Sequence, residues 1–139
     1  MLPSCGSSPT APSSTNSGSN ISSSAVVALA NISGTVAGRT ISVAVAAGGP
    51  LGVVGGAAEL QTSLGIFLLA RTAQDAVSVL TAVCTHEGCT VMDFAAPQFV
   101  CVCHGSRFTT SGAVVLGPAT SALKSFPATF VNGTVTFSA

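Results

Sequence analysis

Charge is what this chain has least of. Its 139 residues include four Lys/Arg, four Asp/Glu and two His, so the formal net charge is zero. The surface is therefore built largely from Ser, Thr, Asn, Gly and Ala. Nucleic acid is excluded as a partner, because it needs clustered Lys/Arg to displace counterions. An anionic membrane surface wants a polybasic run, yet none of Arg39, Arg71, Arg107 and Lys124 has a basic neighbour in the sequence. No run of 18 apolar residues occurs, so nothing in this stretch reads as a membrane-spanning helix. Carboxylates are too sparse for a nearby acid/base pair, and two histidines leave little room for a Ser-His-acid set. Docking to another protein through a weakly charged patch stays open.

Hydrophobic residues make up 47% of the chain, enough for one core at a length that predicts a single domain. The first 24 residues stand apart. Ten of the 22 residues in "PSCGSSPTAPSSTNSGSNISSS" (3–24) are Ser and only Ile21 is a large aliphatic, so the segment cannot offset its ordering entropy by burial. It reads as a disordered tether, and a Gly/Ser-type chain of roughly 19 residues has a reach of about 25 Å. Cys5 in "LPSC" resembles the lipobox of bacterial lipoproteins, whose cysteine becomes lipid-modified. The charged and apolar regions of a lipoprotein signal do not precede it here. Either they lie upstream or Cys5 is an incidental thiol.

Residues 25–139 read as an all-β domain, an antiparallel sandwich or small barrel. Short runs rich in Val, Ile, Leu, Thr and Phe recur between Gly, Pro and Asn breakers: "AVVALANI" (25–32), "TISVAVA" (40–46), "GIFLLAR" (65–71), "AVSVLTAV" (76–83), "QFVCV" (98–102), "LKSFPATFV" (123–131) and "TVTFSA" (134–139). Asn132-Gly133 predicts a type I′ hairpin turn, since both residues tolerate positive φ. Gly48-Gly49-Pro50 and Gly55-Gly56 read as turns. "AAELQTSL" (57–64) is expected to make one helical turn, and Phe126 and Phe130 to be core.

Four of the five cysteines and both histidines fall within residues 84–104. Cys84-x-His86 places two ligand-type side chains on one side of an extended segment, and Cys101-x-x-His104 sets a second pair at the spacing of a tight loop. Each arm reaches a glycine soon after its histidine, Gly88 and Gly105, where the backbone turns sharply or approaches something closely. Cys89 and Cys103 remain, one per arm, with a disulfide between the arms or free buried thiols as their roles. On ligand type alone, a Cys₂His₂ set also fits structural zinc.

"CTHEGC" (84–89) followed by "CVCHGSRF" (101–108) resembles the paired boxes of Rieske iron–sulfur proteins. "GAVVLGPATSAL" (112–123) is similar to the family's Gly-Pro-Ala stretch that covers the cluster, and "LKSFPATFVNGTVTF" to its final hairpin. The resemblance implies a Rieske fold with a cluster-binding subdomain of loops at about 84–120. It implies one [2Fe–2S] cluster, with Cys84 and Cys101 on one iron, His86 and His104 on the other, and a Cys89–Cys103 disulfide. Substituting imidazoles for two thiolates raises the potential to about −150 to +300 mV, against about −400 mV for plant-type ferredoxins. Ser106 matches the family serine whose hydroxyl donates to a cluster sulfur, which stabilises the reduced state. Phe108 stands where high-potential members carry a tyrosine, so a donor is missing. Gly105, Gly117 and Pro118 belong to the same surround. Thr120 replaces a second proline that is common in the family, which implies a looser cover. Glu87 stands where members with quinol partners usually show an aliphatic residue, and its charge disfavours reduction and alters docking.

With both histidines used as ligands, no side chains remain for catalysis by the chain alone or for a mononuclear iron site. The resemblance implies one-electron transfer, foremost as the iron–sulfur subunit of a quinol-oxidising cytochrome bc- or b6f-type complex, passing electrons from quinol to a c-type cytochrome beside cytochrome b. His86 and His104 are the candidate quinol contacts. The other implied role is a periplasmic carrier or small subunit for another oxidoreductase, as in arsenite oxidase. The Rieske ferredoxins of ring-hydroxylating dioxygenases lack the extra cysteine pair. A disulfide implies an oxidising compartment, here the periplasm or outer face of a bacterial membrane, with membrane attachment only through the anchor or a partner.

Overall fold

The computed structural model describes residues 25–84, 89–103 and 105–139. The expected tether with Cys5, and Thr85, His86, Glu87, Gly88 and His104, lie outside the described residues. Every regular element among those described is a strand. In chain order they are β1 (Val27–Ala28), β2 (Ala30–Ile32), β3 (Thr35–Ala37), β4 (Thr40–Ala44), β5 (Ala57–Thr62), β6 (Gly65–Ala73) and β7 (Ala76–Thr81). There follow β8 (Asp93–Ala95), β9 (Gln98–Cys101), β10 (Ser106–Thr109), β11 (Val114–Leu116), β12 (Ser125–Phe126), β13 (Ala128–Val131) and β14 (Thr134–Ser138).

Three sheets form. A central one runs β12-β7-β6-β5-β2, a second β1-β8-β9-β10-β11, and a third β13-β14-β4-β3. The central sheet is apolar on both faces because side chains alternate along a strand. Leu68, Ala70 and Leu80 pack with Phe94, Phe99 and Phe108 of the second sheet. Phe67, Leu69, Val77 and Val79 pack with Ile41, Val43, Val135 and Phe137 of the third. This explains why "GIFLLA" is a continuous apolar run and not an alternating one. Phe67 meets Phe126 and Phe137 edge-on, at centroid distances of 5.3 and 5.1 Å. Phe126 and Phe130 are half-buried at the margin of this layer.

One expectation is corrected. Residues 57–62 form a strand and not a helical turn: Ala, Glu, Leu and Gln favour helix, but the eight residues between Gly56 and Gly65 are too few to hold a helix by themselves. Ala58 and Leu60 instead point into the core while Ala57–Thr62 pairs along β6. The sheets are antiparallel as expected, save that β2 pairs β5 in parallel. The chain enters beside β8 as β1 and crosses at once to the edge of the central sheet as β2. At Asn132-Gly133 the expected hairpin is present, with φ of 52° and 72° joining β13 to β14.

Leu68 is fully buried in the layer that carries the thiols described below. Leu68→Ala is expected to lower stability by about 2–5 kcal/mol in a denaturant titration. A loss well below 1 kcal/mol would mean that this layer is not a packed core.

Candidate metal centre

Three loops converge at one end of the layer between the central and second sheets. The first leaves β7. Ala82 N–H donates to Ile66 O at 3.0 Å, Val91 N–H to Ala82 O at 2.6 Å, and Val83 bridges Thr90. Cys84 N–H then donates to Cys89 O at 2.6 Å, so the two ends of "CTHEGC" are held together. The second loop joins β9 to β10, with Cys101 directly opposite Ser106 and Gly105 N–H donating to Cys101 O at 2.9 Å. Gly105 has φ +82°, and a Cβ there would meet no protein atom within 4 Å. Its requirement is therefore the left-handed turn and not crowding by the protein.

Cys89 and Cys103 are joined in a disulfide, with Cα atoms 6.6 Å apart, which ties the two loops together. Cys84 and Cys101 remain unpaired and buried, in the same apolar cluster as Phe99 and Phe108. Burial pushes the Cys101 thiol up from its ordinary range; the Cys103 backbone N–H opposes this, and the neighbouring Cys84 and Asp93 add to it. The Cys101 thiol thus resists losing its proton to water, whereas a bound metal ion would take that proton's place directly.

A third loop follows β11. Gly117 and Pro118, joined by a cis peptide, are exposed, but Ala119 is buried. Its N–H donates to Ser106 Oγ at 3.0 Å. Ser106 is 1% exposed, and among the described residues its hydroxyl proton has no acceptor. A pair of buried thiols, with a buried hydroxyl opposite Cys101 that has no acceptor among the described residues, fits a group that takes thiolate ligands and accepts hydrogen bonds at sulfur. Phe108, 0% exposed, brings only an apolar ring to this surround. Val83, Val102 and Leu116, each flanking one of the three loops, are exposed.

The structure thus brings together Cys84, Cys101, Ser106, Phe108 and the disulfide. His86, Glu87 and His104 fall outside the described residues. Sequence reasoning missed Asp93, close enough to act on Cys101, and the Ala119 N–H. Neither carries a motif: Asp93 opens a three-residue strand, and a backbone donor leaves no letter in the sequence.

A family model, the Rieske [2Fe-2S] domain, matches residues 40–127, more than half of the chain. Cytochrome b6-f complex iron-sulfur subunits of Prochlorococcus marinus (strain AS9601) are 56% identical over 41 residues, covering 29% of this chain and 23% of theirs. A chloroplastic counterpart from Nicotiana tabacum is 44% identical over 59 residues, covering 42% and 26%. The chain therefore spans about a quarter of the length of these curated relatives. Among solved structures, the cyanobacterial plasma membrane Rieske protein of Synechocystis PCC 6803 superposes with a TM-score of 0.53 at 29% identity, covering 58% of this chain and 84% of that one. The ferredoxin of carbazole 1,9a-dioxygenase from Nocardioides aromaticivorans IC177 shares the fold, with a TM-score of 0.53 at 17% identity, covering 70% and 96%. With the family match over the loops that join two buried thiols to a disulfide, the chain belongs to the Rieske [2Fe-2S] domain family and carries one [2Fe–2S] cluster for one-electron transfer.

Proposed function

We propose that Cys84 and Cys101 ligate one iron and His86 and His104 the other, and that the protein serves as the iron–sulfur subunit of a quinol-oxidising cytochrome bc- or b6f-type complex. The observation that carries this reading is the disulfide Cys89–Cys103 tying the two loops, together with the 41-residue match to subunits of b6-f complexes. When bound, the cluster accepts and releases one electron at a potential raised by its imidazole ligands. The chain's own residues do the rest. The closed base of 84–89 and the turn at Gly105 hold the two arms at a fixed separation. A histidine, His86 or His104, accepts the quinol hydroxyl's hydrogen bond at its free ring nitrogen and takes the proton there. Val83, Val102 and Leu116 form an uncharged apolar rim against which a cytochrome b surface can dock. Glu87 follows His86 in the sequence, and its carboxylate bears on which partner is accepted.

A disulfide favours an oxidising compartment, so we place this domain on the periplasmic or outer face of a bacterial membrane. Cys5 is the candidate lipid anchor and residues 1–24 its tether. Tagged full-length protein drawn from native membranes in detergent is expected to bring b-type and c-type haem with it, and mass spectrometry to find a lipid adduct on Cys5. Recovery with another oxidoreductase and no haem would overturn the bc-type reading in favour of a carrier role. An unmodified Cys5 would remove the anchor.

The Phe108 ring lies in the core layer of the two thiols and lacks the hydroxyl of a tyrosine. Phe108→Tyr is expected to raise the midpoint potential by about 30–60 mV, the equivalent of one added hydrogen bond. An unchanged potential in a potentiometric titration would contradict this account of the surround.

A further inference from the structure

Ser106 and Glu59 are the buried polar side chains of the described residues. Ser106 sits opposite Cys101 in the β9–β10 register, and its Oγ accepts the Ala119 N–H from a loop 13 residues away. Ala119 is itself 3% exposed, so water does not compete for that bond. A serine hydroxyl carries one proton and two lone pairs, and its rotor turns to suit its partners. Once a fixed backbone donor occupies one lone pair, the proton is directed away from that donor. Accepting a bond also polarises the hydroxyl, which makes it a stronger donor in turn.

The donor is well fixed. Leu123 N–H, beyond Ala119, donates to Gly112 O at 2.9 Å. A Cβ at Gly112 would come within 2.9 Å of Leu123 O and 3.1 Å of Leu80 Cδ2, so this end of the loop is seated directly on the central sheet. Ala119 and Leu123 share one buried cluster with Cys84, Cys101 and Phe108.

We propose that the Ala119 backbone N–H is a positioning group, which by occupying a lone pair of Ser106 Oγ aims the hydroxyl proton at a sulfur of the cluster, so that the seating of loop 117–119 sets the midpoint potential through Ser106. The inference rests on the cluster ligation proposed above and adds a specific route from the cover loop to the redox centre. It also gives the loop an anchor that does not depend on a second proline, in whose place Thr120 stands.

The test deletes one N–H. Replacing Ala119 by lactate turns the amide into an ester and keeps the methyl group, Ala119→Gly keeps the N–H and removes the methyl, and Ser106→Ala removes the hydroxyl. In full-length, cluster-loaded protein the ester variant is expected to bind the electron about threefold less tightly, which lowers the midpoint by roughly 30 mV at 59 mV per tenfold. Ala119→Gly is expected to keep the parent potential, and the ester is expected to add nothing in a Ser106→Ala background. An ester variant with the parent potential, a Gly variant that falls as far as the ester, or additive effects of ester and Ser106→Ala would each overturn the inference while leaving the cluster reading intact. Absence of a [2Fe–2S] signal from the unaltered protein would overturn both.

Discussion

Two thiols buried side by side in an apolar layer are the constraint around which much of this structure is arranged. Cys84 and Cys101 are held at the ends of loops whose bases are closed by backbone hydrogen bonds. Neither reaches water, and burial holds the Cys101 proton on. A bound metal ion would replace protons with coordinate bonds to sulfur. The other two cysteines of the region are already committed to each other, which keeps all four from competing for the same partners.

That arrangement depends on the central sheet. Because β6 and β7 are apolar on both faces, they carry two layers at once. One layer, with the Phe67, Phe126 and Phe137 cluster, closes the far side of the domain. The other ends in the thiols and in Ser106. Loops that would otherwise fray are tied to this second layer at Ala82, Val91 and Leu123. Precision at the redox centre is thus borrowed from ordinary core packing. Val83, Val102 and Leu116, near these loops, are apolar and exposed.

Much of the centre was legible in the sequence because its chemistry resides in side chains at fixed spacing. The paired boxes named the cysteines, and the disulfide joins the two that were left over. Asn132-Gly133 announced its hairpin because few dipeptides accept positive φ twice. What was not legible has physical reasons. β5 is written in helix-forming letters and becomes a strand only through its pairing with β6. β3, β8, β10 and β11 are too short to show a period. A run such as "GIFLLA" is apolar throughout, so it cannot reveal which residue faces which layer until both layers are present. The Ala119 N–H leaves no mark in any sequence, since every residue but proline has one.

The central claim is that the thiolates of Cys84 and Cys101 and the imidazoles of His86 and His104 hold a single [2Fe–2S] cluster. It is tested most directly by iron and acid-labile sulfide analysis joined to electron paramagnetic resonance of the dithionite-reduced protein. The account predicts two irons and two sulfides per chain, with nitrogen hyperfine coupling from two histidines. Bound zinc without a paramagnetic signal, or a signal with no nitrogen coupling, would contradict it.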